Sequence, residues 1–134
     1  MKRLSPVLLV LAGCASGPTG PDDPLSGTRW SLVSIGGSPV LASESTSMQF
    51  EKGRLSGSDG CNRYTTSYTA SATSLTIGTN IAGTRMACKP DVMEEAKTFI
   101  EILGRTTGYR RDGERMLLLD SSGRPTAAFR KAGP

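Results

Sequence analysis

Histidine is absent from the 134-residue sequence. Without an imidazole, the chain has no Ser-His-Asp or Cys-His catalytic group and no side chain that ordinarily titrates near neutral pH. A zinc or copper site is also short of ligands, because no histidine or CxxC motif accompanies the three cysteines. We therefore predict no catalytic residue, no metal site and no cofactor, and we expect a protein that is not an enzyme.

Aromatic residues and net charge are scarce as well. Three Phe, three Tyr and one Trp make up 5% of the chain, and its formal charge of +4 falls to +2 without Lys2 and Arg3. The arginines are scattered, and only Arg110 and Arg111 are adjacent. Because nucleic-acid binding needs a basic stripe, preferably with stacking rings, we exclude nucleic acid as a partner.

Long apolar runs are missing, and the one near the N-terminus is short. It extends from Leu4 to Leu11, whereas a membrane-spanning helix needs about 20 apolar residues. It follows Lys2 and Arg3 and precedes small residues, as in a secretory signal. Residues 11–14, Leu-Ala-Gly-Cys, resemble the bacterial lipobox, which implies cleavage before Cys14 and lipidation of that cysteine, detectable as palmitate. We predict a signal peptide over residues 1–13; an ordinary secretory signal with a chance cysteine is the alternative.

The next segment is residues 14–24, which after Cys14 contain three prolines and otherwise no apolar residue larger than alanine. Such a composition cannot bury enough surface to offset its ordering entropy, so we predict a flexible tether. Ala15, rather than aspartate, follows the cysteine, which resembles an outer-membrane sorting signal. We expect a lipid-anchored protein of the bacterial cell envelope, in the outer membrane and facing the periplasm.

From Leu25 onward, apolar residues alternate with polar ones, which is typical of half-buried strands. The alternating apolar positions are Trp30 and Leu32, Met48 and Phe50, Tyr64 and Tyr68, and Leu75 and Ile77. Asp112-Gly113 predicts a hairpin turn, and the run Met116–Leu119 predicts a strand that is covered on both faces. Turns are predicted at 36–37, 52–53 and 57–60, whereas strand limits within 65–83 stay open.

One segment has helical spacing instead. Its apolar stripe consists of Val92, Ala96, Phe99 and Leu103, with Met93 and Ile100 beside it. Asp91 and Glu94 have the spacing of a capping box, and Gly104 suits a C-terminal cap. The predicted fold class is α+β, a mostly antiparallel β-sheet or open barrel with one amphipathic helix.

With Cys14 assigned to lipid, Cys61 and Cys88 remain. In an oxidising compartment the simplest state of such a pair is a disulfide. Reduced thiols in the core are the alternative, whereas a nucleophilic cysteine would lack a base.

Residues 57–64 have the pattern G-x-x-G-C-N-x-Y, and Thr84–Cys88 form a second motif before the helix. Together with the tryptophan strand at 27–32 and the apolar strand at 116–119, they resemble the META (HslJ-like) domain of bacterial envelope proteins. The resemblance covers residues 25–131 and leaves 132–134 as a C-terminal tail. It implies a compact antiparallel β fold with one helix, export and lipid anchoring, and in some members a link to heat or envelope stress. It implies no enzymatic activity.

The first motif has two interpretations. In the structural one, Gly57 and Gly60 adopt backbone angles closed to other residues, and Asp59 or Asn62 satisfies turn amides. In the functional one, Asn62, Arg63 and Arg85 form a candidate recognition patch for a carboxylate or phosphate.

Three functions are compatible with these features. The first is a non-enzymatic, membrane-tethered lipoprotein, expected to be a monomer, that binds an envelope protein or a small anionic ligand, or acts in envelope stress. The second is a β-barrel carrier of a small ligand. The third is a hydrolase that uses Asp59 with Glu94 or Glu95.

Overall fold

The computed structural model describes residues 23–41 and 45–132, which form ten strands and one helix. The predicted signal peptide, Cys14 and tether residues 14–22 lie outside the described residues. The elements are β1 (Thr28–Ile35), β2 (Ser38–Pro39), β3 (Ser47–Glu51), β4 (Arg54–Ser58), β5 (Arg63–Ala70), β6 (Leu75–Ile77), β7 (Ala82–Gly83), α1 (Pro90–Arg105), β8 (Gly108–Asp112), β9 (Arg115–Leu119) and β10 (Pro125–Lys131). The predicted α+β class is confirmed.

Eight of the strands form a nearly closed antiparallel barrel in the order β6-β5-β4-β3-β1-β10-β9-β8. The two outer strands of this order meet through the bridge between Ser74 and Gly108, and the Tyr109 backbone N–H donates to the Thr73 carbonyl at 3.0 Å. The short strands β2 and β7 pair with β1 and β5. Contact between β6 and β8 leaves little unpaired edge in the described part of the chain.

The interior of the barrel is filled by its own side chains. Inward positions alternate with outward ones along the strands, as the period-two pattern predicts. Trp30, Phe50, Phe99 and Phe129 are completely buried, and the Phe99 ring makes edge contacts with Tyr64 and Phe129 at centroid distances of 5.8 and 6.2 Å. Helix α1 thus packs onto the core through Phe99.

The predicted helix is present, but its predicted caps are wrong. The helix begins at Pro90, whose missing N–H suits the first turn, and its N-cap, Lys89, makes no side-chain capping bond. The Asp91 carboxylate instead accepts the backbone N–H of Val92 at 2.8 Å. Gly104 lies inside the helix, which continues to Arg105 and ends at Thr106 in extended conformation. The stripe is also displaced, because Ile102 is buried whereas Val92 is only half-buried.

Two predictions about the C-terminal strands need correction. Met116 and Leu118 are fully buried, but Leu117 and Leu119 are only half-buried, so β9 is covered completely on one face alone. Asp112 pairs with Arg115 and belongs to β8, so the hairpin turn consists of Gly113 and Glu114. Gly113 has a φ of 63°, the positive angle that this turn requires.

The last two residues of the predicted tether belong to the folded domain. The Asp23 carboxylate accepts a hydrogen bond from the Tyr68 hydroxyl at 2.6 Å. The Pro24 carbonyl accepts one from the Arg111 guanidinium at 3.3 Å. Among the described residues, no helix is both long enough and apolar enough to span a bilayer.

Candidate functional site

The first motif forms the turn between β4 and β5. Asp59 organises this turn, because its Oδ1 accepts the backbone N–H groups of Cys61 and Asn62 at 2.8 and 2.6 Å. The Asp59 backbone N–H donates to the Asn62 carbonyl at 2.8 Å. Gly60 has a φ of 101°, which side-chain-bearing residues rarely adopt, so this part of the structural interpretation is confirmed.

Gly57 has a different role from the one predicted. It is buried within β4, its φ is not positive, and it pairs with Tyr64. A Cβ atom at this position would overlap the carbonyl oxygen of Ser47. The motif therefore requires glycine here because two backbone segments approach closely, not because of an unusual backbone angle.

Asn62 joins the two motifs. Its Oδ1 accepts hydrogen bonds from the Thr84 hydroxyl at 2.8 Å and from the Met86 backbone N–H at 2.6 Å. Its amide nitrogen donates to the Met86 carbonyl at 3.4 Å. The Asn62 side-chain amide thus pairs with an irregular segment as a backbone peptide would. Both its oxygen and its nitrogen are engaged in these structural hydrogen bonds.

The disulfide between Cys61 and Cys88 is present, with the two Cα atoms 6.0 Å apart. It connects the turn to the end of the second motif, immediately before helix α1. Cys61 is buried and Cys88 is half-buried. Turn, second motif and helix N-terminus are therefore fastened together by one covalent bond and by Asn62.

The three residues of the candidate recognition patch lie together. Asn62, Arg63 and Arg85 line one shallow cleft of about 230 Å³. Arg63 and Arg85 are exposed, and the Arg63 backbone N–H donates to the Thr84 hydroxyl at 3.1 Å. Recognition of an anion by this patch stays a prediction, and Asn62 would contribute to it only by giving up its present bonds.

The cleft also borders Tyr64, whose hydroxyl donates to the Ser47 carbonyl at 2.7 Å. Burial raises the pKa of Tyr64 far above its ordinary value, and the neighbouring Asp59 carboxylate raises it further. The phenol therefore stays protonated and serves as a buried donor. Such a group is unsuited to act as a general base.

Helix α1 lies between two open grooves, which we call the hairpin groove and the motif groove. The hairpin groove has a volume of about 430 Å³ and separates the helix from the segment between β1 and residue 41. The motif groove has a volume of about 310 Å³ and separates the helix from the turn at Asp59–Asn62. The hairpin groove is lined by helix residues between 91 and 98, and the motif groove by helix residues between 93 and 101.

Sequence reasoning missed the exposed apolar side chains around these grooves. Leu41, Met86 and Met93 are 61%, 57% and 46% exposed. Leu41 lies in the hairpin groove and Met93 in the motif groove, and the Met86 backbone is bonded to Asn62, which lines the motif groove. The sequence predicts Met93 beside the buried stripe, whereas its side chain is exposed. Met93, between Val92 and Glu94, does not itself belong to that stripe, and this offset is the one feature of the sequence that indicates an exposed side chain.

The carboxylates considered for hydrolysis do not form one group. The Asp59 Oδ1 atom is engaged by two turn amides, and the Glu95 carboxylate accepts the Leu41 backbone N–H with both oxygens, at 3.2 and 3.1 Å. Glu94 and Glu95 line the hairpin groove, whereas Asp59 borders the motif groove. Within residues 23–41 and 45–132, no group of three or more Asp, Glu or Cys side chains could hold a metal ion.

Comparison with known proteins identifies the fold. A protein solved by NMR is 27% identical, with a TM-score of 0.62, over 79% of this chain and 90% of its own. An NMR structure of a protein from Burkholderia xenovorans is 24% identical, with a TM-score of 0.65, over 90% and 97%. The crystal structure of a DUF4847 family protein from Bacteroides vulgatus is 15% identical, with a TM-score of 0.64, over 80% and 94%.

No curated protein matches the chain. The META domain family model, in contrast, matches residues 23–133 and thus begins at Asp23, whose carboxylate accepts the Tyr68 hydroxyl. Barrel, helix and both cysteine-containing motifs all fall within this match. The chain belongs to the META domain family.

Proposed function

We propose that the protein is a non-enzymatic, membrane-tethered lipoprotein of the bacterial envelope that binds another envelope protein along helix α1. One observation carries the binding proposal. In the described part of the chain, Leu41 is exposed in the hairpin groove, Met93 is exposed in the motif groove, and the exposed Met86 is bonded through its backbone to Asn62, which lines the motif groove. Apolar side chains grouped at a groove are typical of protein interaction sites.

The hairpin groove also defines the chemistry of the partner. Its apolar floor is formed by Ile35, Pro39 and Leu41, and its helix side carries the carboxylates of Asp91, Glu94 and Glu95. None of the described residues that line this groove is a lysine or an arginine. The groove therefore fits an apolar segment that carries lysine or arginine, because these charges would complement the acidic wall.

The alternative of an internal ligand carrier receives little support from the barrel. Completely buried side chains from β1, β3, β4, β9 and β10 meet in its interior. Rings from Phe50 and Tyr68 pack edge to face at 4.9 Å, and Phe99 from the helix occupies the space between Tyr64 and Phe129. A ligand would have to displace this core.

The binding proposal is tested by placing a photo-crosslinking amino acid at Met93 and illuminating intact cells. A control carries the same amino acid at Thr69, which is exposed on β5. We expect a discrete crosslinked protein at position 93 but not at 69, and its yield should fall in the Glu94→Lys variant. Equal crosslinking at both positions, or an unchanged yield in the charge-reversed variant, contradicts the proposal.

The tether is tested separately. The lipobox-like residues 11–14 support it, and Cys14→Ala should abolish metabolic labelling with palmitate and leave unprocessed precursor. A matched Ser16→Ala variant should be labelled as the wild type is. Labelling that survives the Cys14 substitution contradicts lipid attachment at that residue.

A further inference from the structure

The end of the barrel that contains Asp23 is more positively charged than helix α1. This end is formed by residues 23–29, the turn 51–54, the turn 111–115 and the strand terminus 130–132. The strand register places them together: Thr28 pairs with Phe50, Asp112 with Arg115, and Arg115 with Arg130. The Ala132 backbone N–H also donates to the Arg29 carbonyl at 2.8 Å. We call this surface the basic end.

Cations exceed anions at the basic end. Its positive side chains are all exposed and are Arg29, Lys52, Arg54, Arg111, Arg115, Arg130 and Lys131. Its negative side chains are Asp23, Glu51, Asp112 and Glu114, and Asp23 is engaged by the Tyr68 hydroxyl. Helix α1 has the opposite balance, with four acidic and two basic residues in PDVMEEAKTFIEILGR. Arg63, Arg85 and Lys89 lie beside the helix, so it is the helix itself that is net negative, whereas the basic end is net positive.

The short distance along the chain between Asp23 and Cys14 relates the basic end to the lipid anchor of the proposed function. Asp23 is at the basic end and follows Cys14 by only nine positions, with eight residues between them. Even a fully extended chain of this length spans no more than about 32 Å, whereas a domain of this size has a radius of gyration of about 13 Å. The anchor thus confines the basic end to the vicinity of the bilayer surface.

We propose that the basic end docks on anionic phospholipid headgroups, so that helix α1 and its two grooves face away from the membrane. This inference rests on the lipid anchor of the proposed function. Positive side chains close to a negatively charged leaflet are attracted to it over roughly a Debye length. The acidic helix is repelled by the same field, so attraction and repulsion favour one orientation.

The single tryptophan provides a native probe of this orientation. Trp30 is buried just inside the basic end, with the Arg111 guanidinium 5.1 Å from its ring centroid and Lys131 opposite it in the register. Energy transfer from Trp30 to dansyl-labelled lipid headgroups therefore reports how close this end lies to the bilayer. The purified lipoprotein is reconstituted into vesicles of phosphatidylcholine alone or of phosphatidylcholine with phosphatidylglycerol.

We expect strong energy transfer in the phosphatidylglycerol vesicles, loss of most of it in phosphatidylcholine, and the same loss in about 1 M salt, where the Debye length is about 3 Å. A variant with Arg115, Arg130, Lys131 and Lys52 all changed to Gln should show the low signal in both vesicle types. The matched control changes Lys89, Lys97, Arg105 and Arg124 to Gln, which removes the same charge elsewhere and should keep the high signal.

Energy transfer that is independent of lipid charge, or that falls equally in both variants, overturns the docking proposal. Intact mass and vesicle flotation separate this failure from failure of the anchor. A lipidated protein that floats without a lipid-dependent signal refutes docking alone. A protein without lipid on Cys14 refutes the anchor and with it the docking. If the signal depends on an added envelope protein and not on phosphatidylglycerol, the basic end binds protein and the lipid proposal is wrong.

Discussion

Asn62 shows how one side chain can determine the path of a segment without regular structure. Three hydrogen bonds connect its amide to Thr84 and Met86, while its backbone N–H is held by Asp59. Its hydrogen-bond partners are the Thr84 hydroxyl and the Met86 backbone, and neither residue belongs to a strand or a helix. If Asn62 were replaced, these groups would have to form their hydrogen bonds with water instead.

We predict that Asn62→Ala lowers the free energy of unfolding by about 1–2 kcal/mol, because these hydrogen bonds are lost from a half-buried position. The measurement is the urea midpoint at constant m-value. Asn80→Ala is the control, since the Asn80 side chain is exposed and its substitution should change stability by less than about 0.5 kcal/mol. Equal effects of the two substitutions would show that Asn62 does not hold the second motif.

The sequence could predict the turn at Asn62 but not the partner of its amide. Glycine, aspartate and asparagine next to one another indicate a turn through local backbone preferences. Pairing with Met86, 24 positions further along the chain, depends on where the second motif arrives in the fold. The role of Gly57 was mistaken for the same reason, because the Ser47 backbone that excludes a side chain there lies in a different strand.

Among the elements, helix α1 shows what periodicity determines and what it leaves open. Ala96, Phe99 and Leu103 were correctly predicted to face the core, since their spacing describes one side of a helix. Its ends were mistaken because Pro90 starts the helix without a side-chain cap, while Gly104 is tolerated at an exposed position of the last turn. Short strands such as β2 and β7 have too few residues for any period to be recognised.

The disulfide should stabilise this arrangement of elements by restricting the unfolded chain. Its sequence separation is 27 residues, and closure of such a loop corresponds to about 3.5 kcal/mol in the chain-entropy model. We predict that reduction of the wild-type protein lowers its free energy of unfolding by about this amount, measured from urea midpoints with and without dithiothreitol. A Cys61→Ser and Cys88→Ser double variant should be insensitive to dithiothreitol.

Alkylation before and after reduction, followed by intact-mass measurement, checks the assumption behind this prediction. Two cysteines should be protected in the oxidised domain, and both should react after reduction. Identical unfolding midpoints in the two redox states would show that the bond contributes nothing to stability. Free thiols in protein purified from the native envelope would contradict the pairing itself.

On the scale of the whole molecule, the α+β class followed from the alternation of apolar residues, whereas closure of the barrel did not. Contact of β6 with β8 joins residues 74 and 108, and no local pattern specifies this pairing. Tyrosine hydroxyls of the core also form hydrogen bonds with segments that are distant in the sequence. All three tyrosines are buried, and their hydroxyls donate to Ser47, Asp23 and Ser71.

These tyrosines predict how stability responds to alkaline pH. Burial raises the pKa of each of them, to about 12 for Tyr68, whose hydrogen bond to Asp23 contributes as well. In the unfolded chain a tyrosine titrates near pH 10. Between about pH 10 and 12 the unfolded state therefore binds fewer protons than the folded state, and the free energy of unfolding must decrease as pH rises. Below pH 10 both states are protonated and this contribution is constant.

We expect the loss to approach about 1.4 kcal/mol per pH unit for each tyrosine that stays protonated in the folded state. Near-ultraviolet absorbance of tyrosinate, recorded together with circular dichroism, measures it directly. Because ionisation is coupled to unfolding, tyrosinate should appear only as the β signal disappears. Tyr68→Phe should make the dependence of the unfolding free energy on pH shallower by the contribution of one tyrosine. The remaining two tyrosines should still ionise with unfolding. Tyrosinate formed near pH 10 in a protein that retains its circular dichroism would mean that these hydroxyls are open to solvent, and that the barrel is not closed around them.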